Sequence, residues 1–178
     1  MRNPSPAGWR KSKLSYGKVV MEIVDLLSPD AVLPTLKSQG KKQLLQELAD
    51  QASKQTGIPE RRIFETLVER ERLGSTGMGQ GIAIPHGRIP GLSKITGVFA
   101  RLDTPVSYDA VDNLPVDLVF LLLAPDGSGA DHLKALARVS RLLRNQATCE
   151  KLRAASKPEV LYALLTEPSN GNASSQAA

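Results

Sequence analysis

The sequence predicts a single α/β domain, and three observations carry that prediction. The run PVDLVFLLLA within Leu114–Ala124 is apolar almost without interruption, the pattern of a central strand covered on both faces. Amphipathic segments of helical period lie both before and after it. The 178 residues suffice for one well-buried core rather than two.

The elements follow in order. Residues 1–20 are rich in Pro, Ser, Gly and Lys and read as a disordered basic leader, with Met21 as an alternative start. Glu22–Leu36 is broken by Pro29 and Pro34 and reads as short elements at the core edge. Lys41–Thr56 is predicted as a helix, with Leu44, Leu45, Leu48 and Ala52 on one face and Gly57 as its stop. Pro59–Leu73 is predicted as a second helix, opened by proline. Its inner face is Ile63, Leu67 and Val68. Its outer face carries Arg61, Arg62, Glu65, Glu69, Arg70, Glu71 and Arg72.

Ile82–Pro85 and Ile95–Leu102 read as strands, the latter ended by Thr104-Pro105. Beyond the central strand, Asp131 is the expected N-cap of a helix His132–Asn145. Leu133, Leu136, Ala137, Ser140 and Leu143 are expected to face inward and Arg138, Arg141 and Arg144 outward. Thr148–Ala155 and Pro158–Leu165 are two further helices. Residues 168–178 form a low-complexity, disordered tail, so the domain is expected to span residues 21–167.

Charge and composition exclude several functions. Arg2, Arg10, Lys11, Lys13 and Lys18 supply the whole net charge of +5, so the rest of the chain is neutral. A basic leader alone is weak support for nucleic-acid binding, and 4% aromatics leave no stacking platform for single strands. No apolar run is long enough to span a membrane, and the basic N-terminal stretch lacks the apolar h-region expected of a secretory signal. The lone Cys149 suits a reducing cytoplasm.

Gly74–Arg88, GSTGMGQGIAIPHGR, concentrates backbone freedom beside a titratable group. A dinucleotide fingerprint would follow a strand and open a helix, and here a helix precedes. No Gly-Lys-Ser/Thr marks a Walker loop, and no G-x-S-x-G marks a hydrolase elbow. The glycines then read as a turn with exposed amides, a nest for an anion. His86 stands between Pro85 and Gly87 with Arg88 beside it, and the only other histidine, His132, opens a helix. No HxxxH or CxxC spacing supports a metal site. Phosphoryl transfer on histidine suits these parts best: an imidazole nitrogen attacks phosphorus, and arginine, amides and a second histidine hold the oxygens. A metal hydrolase and a pure binding module are the competing classes.

GSTGMGQGIAIPHGR, with LVERERL before it and VFARLDTPVSYDAVDNLPVDLVFLLLAP and HLKALARVSRLL after it, resembles the type-2 EIIA domain of the bacterial phosphotransferase system. The likeness is strongest to the nitrogen-related branch, EIIA-Ntr. The resemblance implies a three-layer α/β/α sandwich around a mixed sheet. It implies His86 as the residue phosphorylated on Nε2, with His132 and Arg70 beside it and Ser75, Thr76 and Gly77 lining the site. No cofactor and no metal are expected, given the absence of ligand spacing. The implied donor is the phosphorylated HPr-like carrier of the nitrogen branch (NPr), charged by a PEP-dependent enzyme I. The implied readers are regulatory targets such as potassium-transport or sensor-kinase proteins. A sugar-transport EIIA of fructose/mannitol type, passing phosphate to a separate EIIB, is the alternative.

Overall fold

The computed structural model describes residues 21–168; the predicted leader and nearly all of the predicted tail lie outside the described residues. Two 3-10 turns, Ile23–Asp25 and Pro29–Ala31, lead into β1 (Val32–Leu36). The helices α1 (Lys41–Thr56) and α2 (Glu60–Arg72) follow. Then come β2 (Gly77–Gly79), β3 (Ile82–Ala83), β4 (His86–Ile89), β5 (Thr96–Val106) and β6 (Val116–Pro125), and finally α3 (Gly129–Arg144), α4 (Gln146–Ala154) and α5 (Pro158–Thr166).

The strands form one six-stranded mixed sheet, ordered β1-β5-β6-β3-β2, with β4 also paired to β6. β6 is the spine. Val116 and Leu118–Ala124 are all fully buried, as the unbroken apolar run requires. On one side β6 pairs antiparallel with β5, where Phe99 lies opposite Phe120. On the other it pairs in parallel with β3 and then β4. Those two strands follow one line along β6, parted by Ile84-Pro85. Pro85 has no N–H to give, but its carbonyl still accepts from Leu122 N at 3.0 Å. β1 pairs in parallel with β5 and forms an edge, which is where a proline such as Pro34 is tolerated.

α1 and α2 pack on each other and reach the sheet through β5 and β4; α3, α4 and α5 form a second chain of contacts that reaches β6 and β1. The result is the predicted three-layer α/β arrangement. α1 has the predicted bounds, ended by Gly57 at φ +75°. α2 begins one residue after Pro59, which is its N-cap rather than its first residue.

Two expectations fail here. Thr104-Pro105 does not end β5, which runs to Val106 with a register shift between Arg101 and Val106. The irregularity falls where Pro105 cannot join the ladder. Asp131 does not cap α3. Ser128 occupies that position and its carbonyl accepts from His132 N at 2.9 Å, so the helix starts earlier than predicted and His132 lies one turn in.

One packing contact is tight enough to test. A Cβ on Gly97 would stand 2.7 Å from the Phe120 ring and 3.2 Å from the Leu26 carbonyl oxygen. Phe120 is fully buried at the centre of the sheet and has no open space to move into. Gly97→Ala is expected to destabilise the fold by about 1–3 kcal/mol, the usual cost of overpacking, read from the denaturant midpoint. An unchanged midpoint would mean the core yields at this point.

Candidate functional site

The central strand fixes the site. β4 opens with His86 in register with Leu122 of β6. His86 Nδ1 lies 2.8 Å from the carbonyl oxygen of Ile84. A carbonyl only accepts, so Nδ1 is the nitrogen that carries hydrogen and Nε2 keeps its lone pair. Burial lowers the His86 pKa below its ordinary 6.5, and the Arg70 charge acts in the same direction. The bond to Ile84 and the Glu71 charge oppose this without reversing it.

His132 comes to His86 from α3. The two rings meet edge to face, with centroids 5.6 Å apart and planes at 68°. His132 is only 6% exposed, and its Nε2 has no hydrogen-bond partner among the described residues. Its pKa too is lowered, by burial first and then by its proximity to His86 and Arg88. Burial thus favours the neutral form of both imidazoles.

The phase of α3 differs from the sequence prediction. Its buried stripe is His132, Ala135, Val139 and Leu143. Leu133, Leu136, Ala137 and Ser140, expected inward, instead line an open hollow of about 520 Å³ together with His86. A helix with apolar residues on two stripes can bury either one, and here the sheet takes the stripe that carries the histidine. Arg138, expected outward, folds back to pair with Glu22.

Arg70 lies in the last turn of α2 and donates from Nη1 to the Gly74 carbonyl at 2.9 Å. It borders the same hollow and a second one, of about 620 Å³, shared with His86, Arg88 and His132. A guanidinium has five N–H donors, so one bond to Gly74 leaves most of them for an anion. Ser75, Thr76 and Gly77 also line the first hollow, yet their polar groups are engaged. Ser75 Oγ donates to the Tyr108 carbonyl at 2.9 Å and accepts from Gly77 N at 3.1 Å. Thr76 N donates to Glu71 Oε2 at 3.1 Å, and its hydroxyl meets Glu71 Oε1.

The glycines therefore do a different job from the anion nest read from the sequence. The amides of Thr76 and Gly77 are already bonded within the protein. Gln80 (φ 56°) and Gly81 (φ 81°) turn the chain between β2 and β3, a hairpin that needs positive φ at both positions. A Cβ on Gly77 would meet the Ala110 backbone at 2.9 Å, so that glycine lets the 107–115 segment close over β2. The stretch is a braced hairpin beside His86, not a flexible loop.

Glu71 is the main residue the sequence reading misplaced. Assigned to the solvated face of α2, it has a side chain only 6% exposed and paired with Lys41 at 2.9 Å. The signal was present: Ile63, Leu67 and Glu71 recur at i, i+4, i+8, on the stripe that faces inward. Around the hollows stand large apolar side chains left in solvent, Leu73 (86%), Val111 (79%) and Leu133 (67%). Among the described residues, no cluster of three or more His, Cys, Asp or Glu side chains could hold a metal ion. No described helix is long and apolar enough to cross a membrane.

Residues 25–167 match the family model of the phosphoenolpyruvate-dependent sugar phosphotransferase system, EIIA 2. The chain is 57% identical over 148 residues to a nitrogen regulatory protein of Bradyrhizobium diazoefficiens, covering 83% of this chain and 97% of that protein. It is 38% identical over 155 residues to the nitrogen regulatory protein of Escherichia coli, covering 86% and 95% respectively. Among solved structures, the nitrogen regulatory protein IIA-Ntr from Neisseria meningitidis superposes with a TM-score of 0.77 at 36% identity, over 81% of this chain and 99% of that one.

Proposed function

The chain belongs to the EIIA type-2 family of the phosphotransferase system, in its nitrogen-related branch, and on that premise we propose that it carries a phosphoryl group on His86 Nε2. The observation that carries the reading is the bond from His86 Nδ1 to the Ile84 carbonyl, which leaves Nε2 as the nucleophile. The donor is a phosphohistidine on an HPr-like carrier protein. The Nε2 lone pair attacks phosphorus in line. The donor's N–P bond breaks, and the donor imidazole keeps the electron pair. His86 then holds the phosphoryl as a phosphoramidate while Nδ1–H stays on Ile84.

In this reading Arg70 holds the phosphoryl oxygens, and His132, edge to face with the His86 ring, keeps that ring in position, so the geometry is set before the donor arrives. Ser75, Thr76 and Gly77 contribute as a braced wall, their own polar groups being engaged. The apolar rim at Leu73, Val111 and Leu133 suits docking of a protein donor, since both hollows beside His86 are open and neither encloses a small substrate. Phosphorylation adds roughly two negative charges to that rim, enough to change which partner binds it.

The names of the relatives favour regulation over sugar transport. NPr is then the donor, potassium-transport or sensor-kinase proteins are candidate targets, and the cytoplasm is the site of action. Mixing the protein with phosphoenolpyruvate, enzyme I and the HPr-like carrier is expected to add one alkali-stable, acid-labile phosphoryl group at His86, located by mass spectrometry. Absence of label on the wild-type chain would overturn the phosphocarrier reading. Rapid onward transfer to an added EIIB would instead support the sugar-transport alternative.

The pH dependence has a definite sign. Only the neutral imidazole attacks, and the His86 pKa is lowered from 6.5. Transfer should hold its plateau down through pH 6.5 and decline only below it. An acid limb centred above pH 6.5, in single-turnover transfer from pre-phosphorylated carrier, would contradict the lowered pKa of the half-buried His86.

A further inference from the structure

We propose that Glu71 is a positioning residue for phosphoryl transfer, fixing the Gly74–Gly77 segment beside His86 by holding Thr76. This rests on the phosphocarrier reading of the His86 site.

The geometry is that of a carboxylate used to its full capacity. Glu71 Oε2 accepts from Thr76 N at 3.1 Å and from Lys41 Nζ at 2.9 Å. Oε1 accepts the Thr76 hydroxyl and the Tyr108 hydroxyl, the latter at 3.1 Å. The donors come from α1, from the segment after α2 and from the segment after β5. An ionised carboxylate has about four acceptor sites and no donor, and here each oxygen takes two donors. Burial pushes the Tyr108 phenol far up, so it remains a donor throughout the working range.

The consequence for the site comes through sequence adjacency. Arg70 holds the Gly74 carbonyl, and Glu71 holds Thr76. Two successive residues at the end of α2 therefore grip the next segment at two points. That segment carries the Gly74 carbonyl on which the Arg70 guanidinium rests, and it continues into the β2–β3 hairpin that leads to His86. Thr76 O also accepts from Ile84 N at 3.1 Å, and Ile84 O fixes the His86 tautomer. A hydrogen-bonded path thus runs from Glu71 through Thr76 and Ile84 to the nucleophile.

A carboxylate that merely stabilised the fold would change the unfolding midpoint and leave the kinetics of the folded protein alone. A positioning residue changes turnover. Misplacing reacting groups by about 1 Å can cost on the order of 10²-fold. Glu71→Gln keeps the shape but offers one oxygen for four donors. It is expected to lower kcat for transfer from phosphorylated carrier by on the order of 10²-fold with KM for the carrier unchanged. Arg70, Glu71 and His132 face His86, and Glu69 and Arg88 line the hollow it shares with His132; the Glu71 charge raises the His86 pKa, so removing it should move the acid limb to lower pH, which loss of folding stability would not do.

The companion variants are Thr76→Val, which removes the hydroxyl at nearly constant volume, and Thr76→Ser, which restores it. Thr76→Val should lower kcat at constant KM, and Thr76→Ser should recover it. Wild-type labelling at His86 is measured alongside, so failure of the phosphocarrier reading shows as an unlabelled wild type. With wild type labelled, a folded Glu71→Gln protein with wild-type kcat and acid limb would overturn the proposal. Should Glu71→Gln fail to fold, an unchanged kcat in Thr76→Val would overturn it, and a loss rescued by serine would support it.

Discussion

His86→Ala is expected to abolish phosphoryl acceptance completely while leaving the fold intact. The proposed nucleophile is a single atom, Nε2, and no other group described in the site is placed to replace it. His132 is the nearest alternative, with its ring 5.6 Å away, but it is 6% exposed and its Nε2 is enclosed by protein. An incoming phosphohistidine cannot align with a nitrogen it cannot reach, and in-line geometry is most of the catalysis in this chemistry. The structural cost is small. The bond lost is to the Ile84 carbonyl, worth about 1 kcal/mol, and β4 stays paired to β6 through its backbone. Circular dichroism and the denaturant midpoint should therefore remain close to wild type, while mass spectrometry shows no phosphoryl adduct. A folded variant that still takes label, on His132 or elsewhere, would show that His86 is not the acceptor.

Arg70→Lys should retain the charge and lose the catalysis. The guanidinium is a rigid fork that can rest one arm on the Gly74 carbonyl, at 2.9 Å, and direct the others into the hollow beside His86. A lysine ammonium is one compact centre; it can bond the carbonyl or turn toward a phosphoryl oxygen, without the planar pairing an arginine gives. A drop in kcat of about 10²-fold is expected, the scale for removing one preorganised donor from a developing charge. Comparison with Arg70→Met separates positioning from charge. The Arg70 charge helps lower the His86 pKa, so only the methionine variant should let the acid limb climb back toward pH 6.5. Wild-type turnover in Arg70→Lys would mean that charge alone suffices at this position.

Much of the architecture was legible because it is written in local patterns. The unbroken apolar run is β6, the spine of the sheet, and Lys41–Thr56 has in the structure the bounds its leucines and Gly57 suggested. The segments between were harder to read. β3 covers only Ile82–Ala83 of the expected Ile82–Pro85 strand, and β2, three residues long, is too short for any period to show; pairing with each other and of β3 with β6 makes them strands. β5 continued past Thr104-Pro105 because a strand can shift register around a proline when its neighbours hold it. Within the site, the Pro-His-Gly motif drew attention to His86 by residue type alone. The position of Arg70 came from its family resemblance, and the bond that braces it to Gly74 could be seen only in three dimensions.

What the sequence determined by itself was the α/β class and the central strand, and it singled out His86 as the candidate for chemistry, since these depend on period, turn residues and side-chain type. What only the tertiary structure decided was which side of a helix faces in. On α2, Glu71 looked like one more exposed charge, and it is buried because Lys41, Thr76 and Tyr108 converge on it from other parts of the chain. On α3, Leu133 looked like core, and the structure leaves it in solvent while burying His132. Local hydrophobicity ranks leucine inside and histidine outside. The tertiary structure overrules that ranking because the imidazole packs against His86, and the leucine is left in solvent on the rim of the site, where a partner protein can cover it.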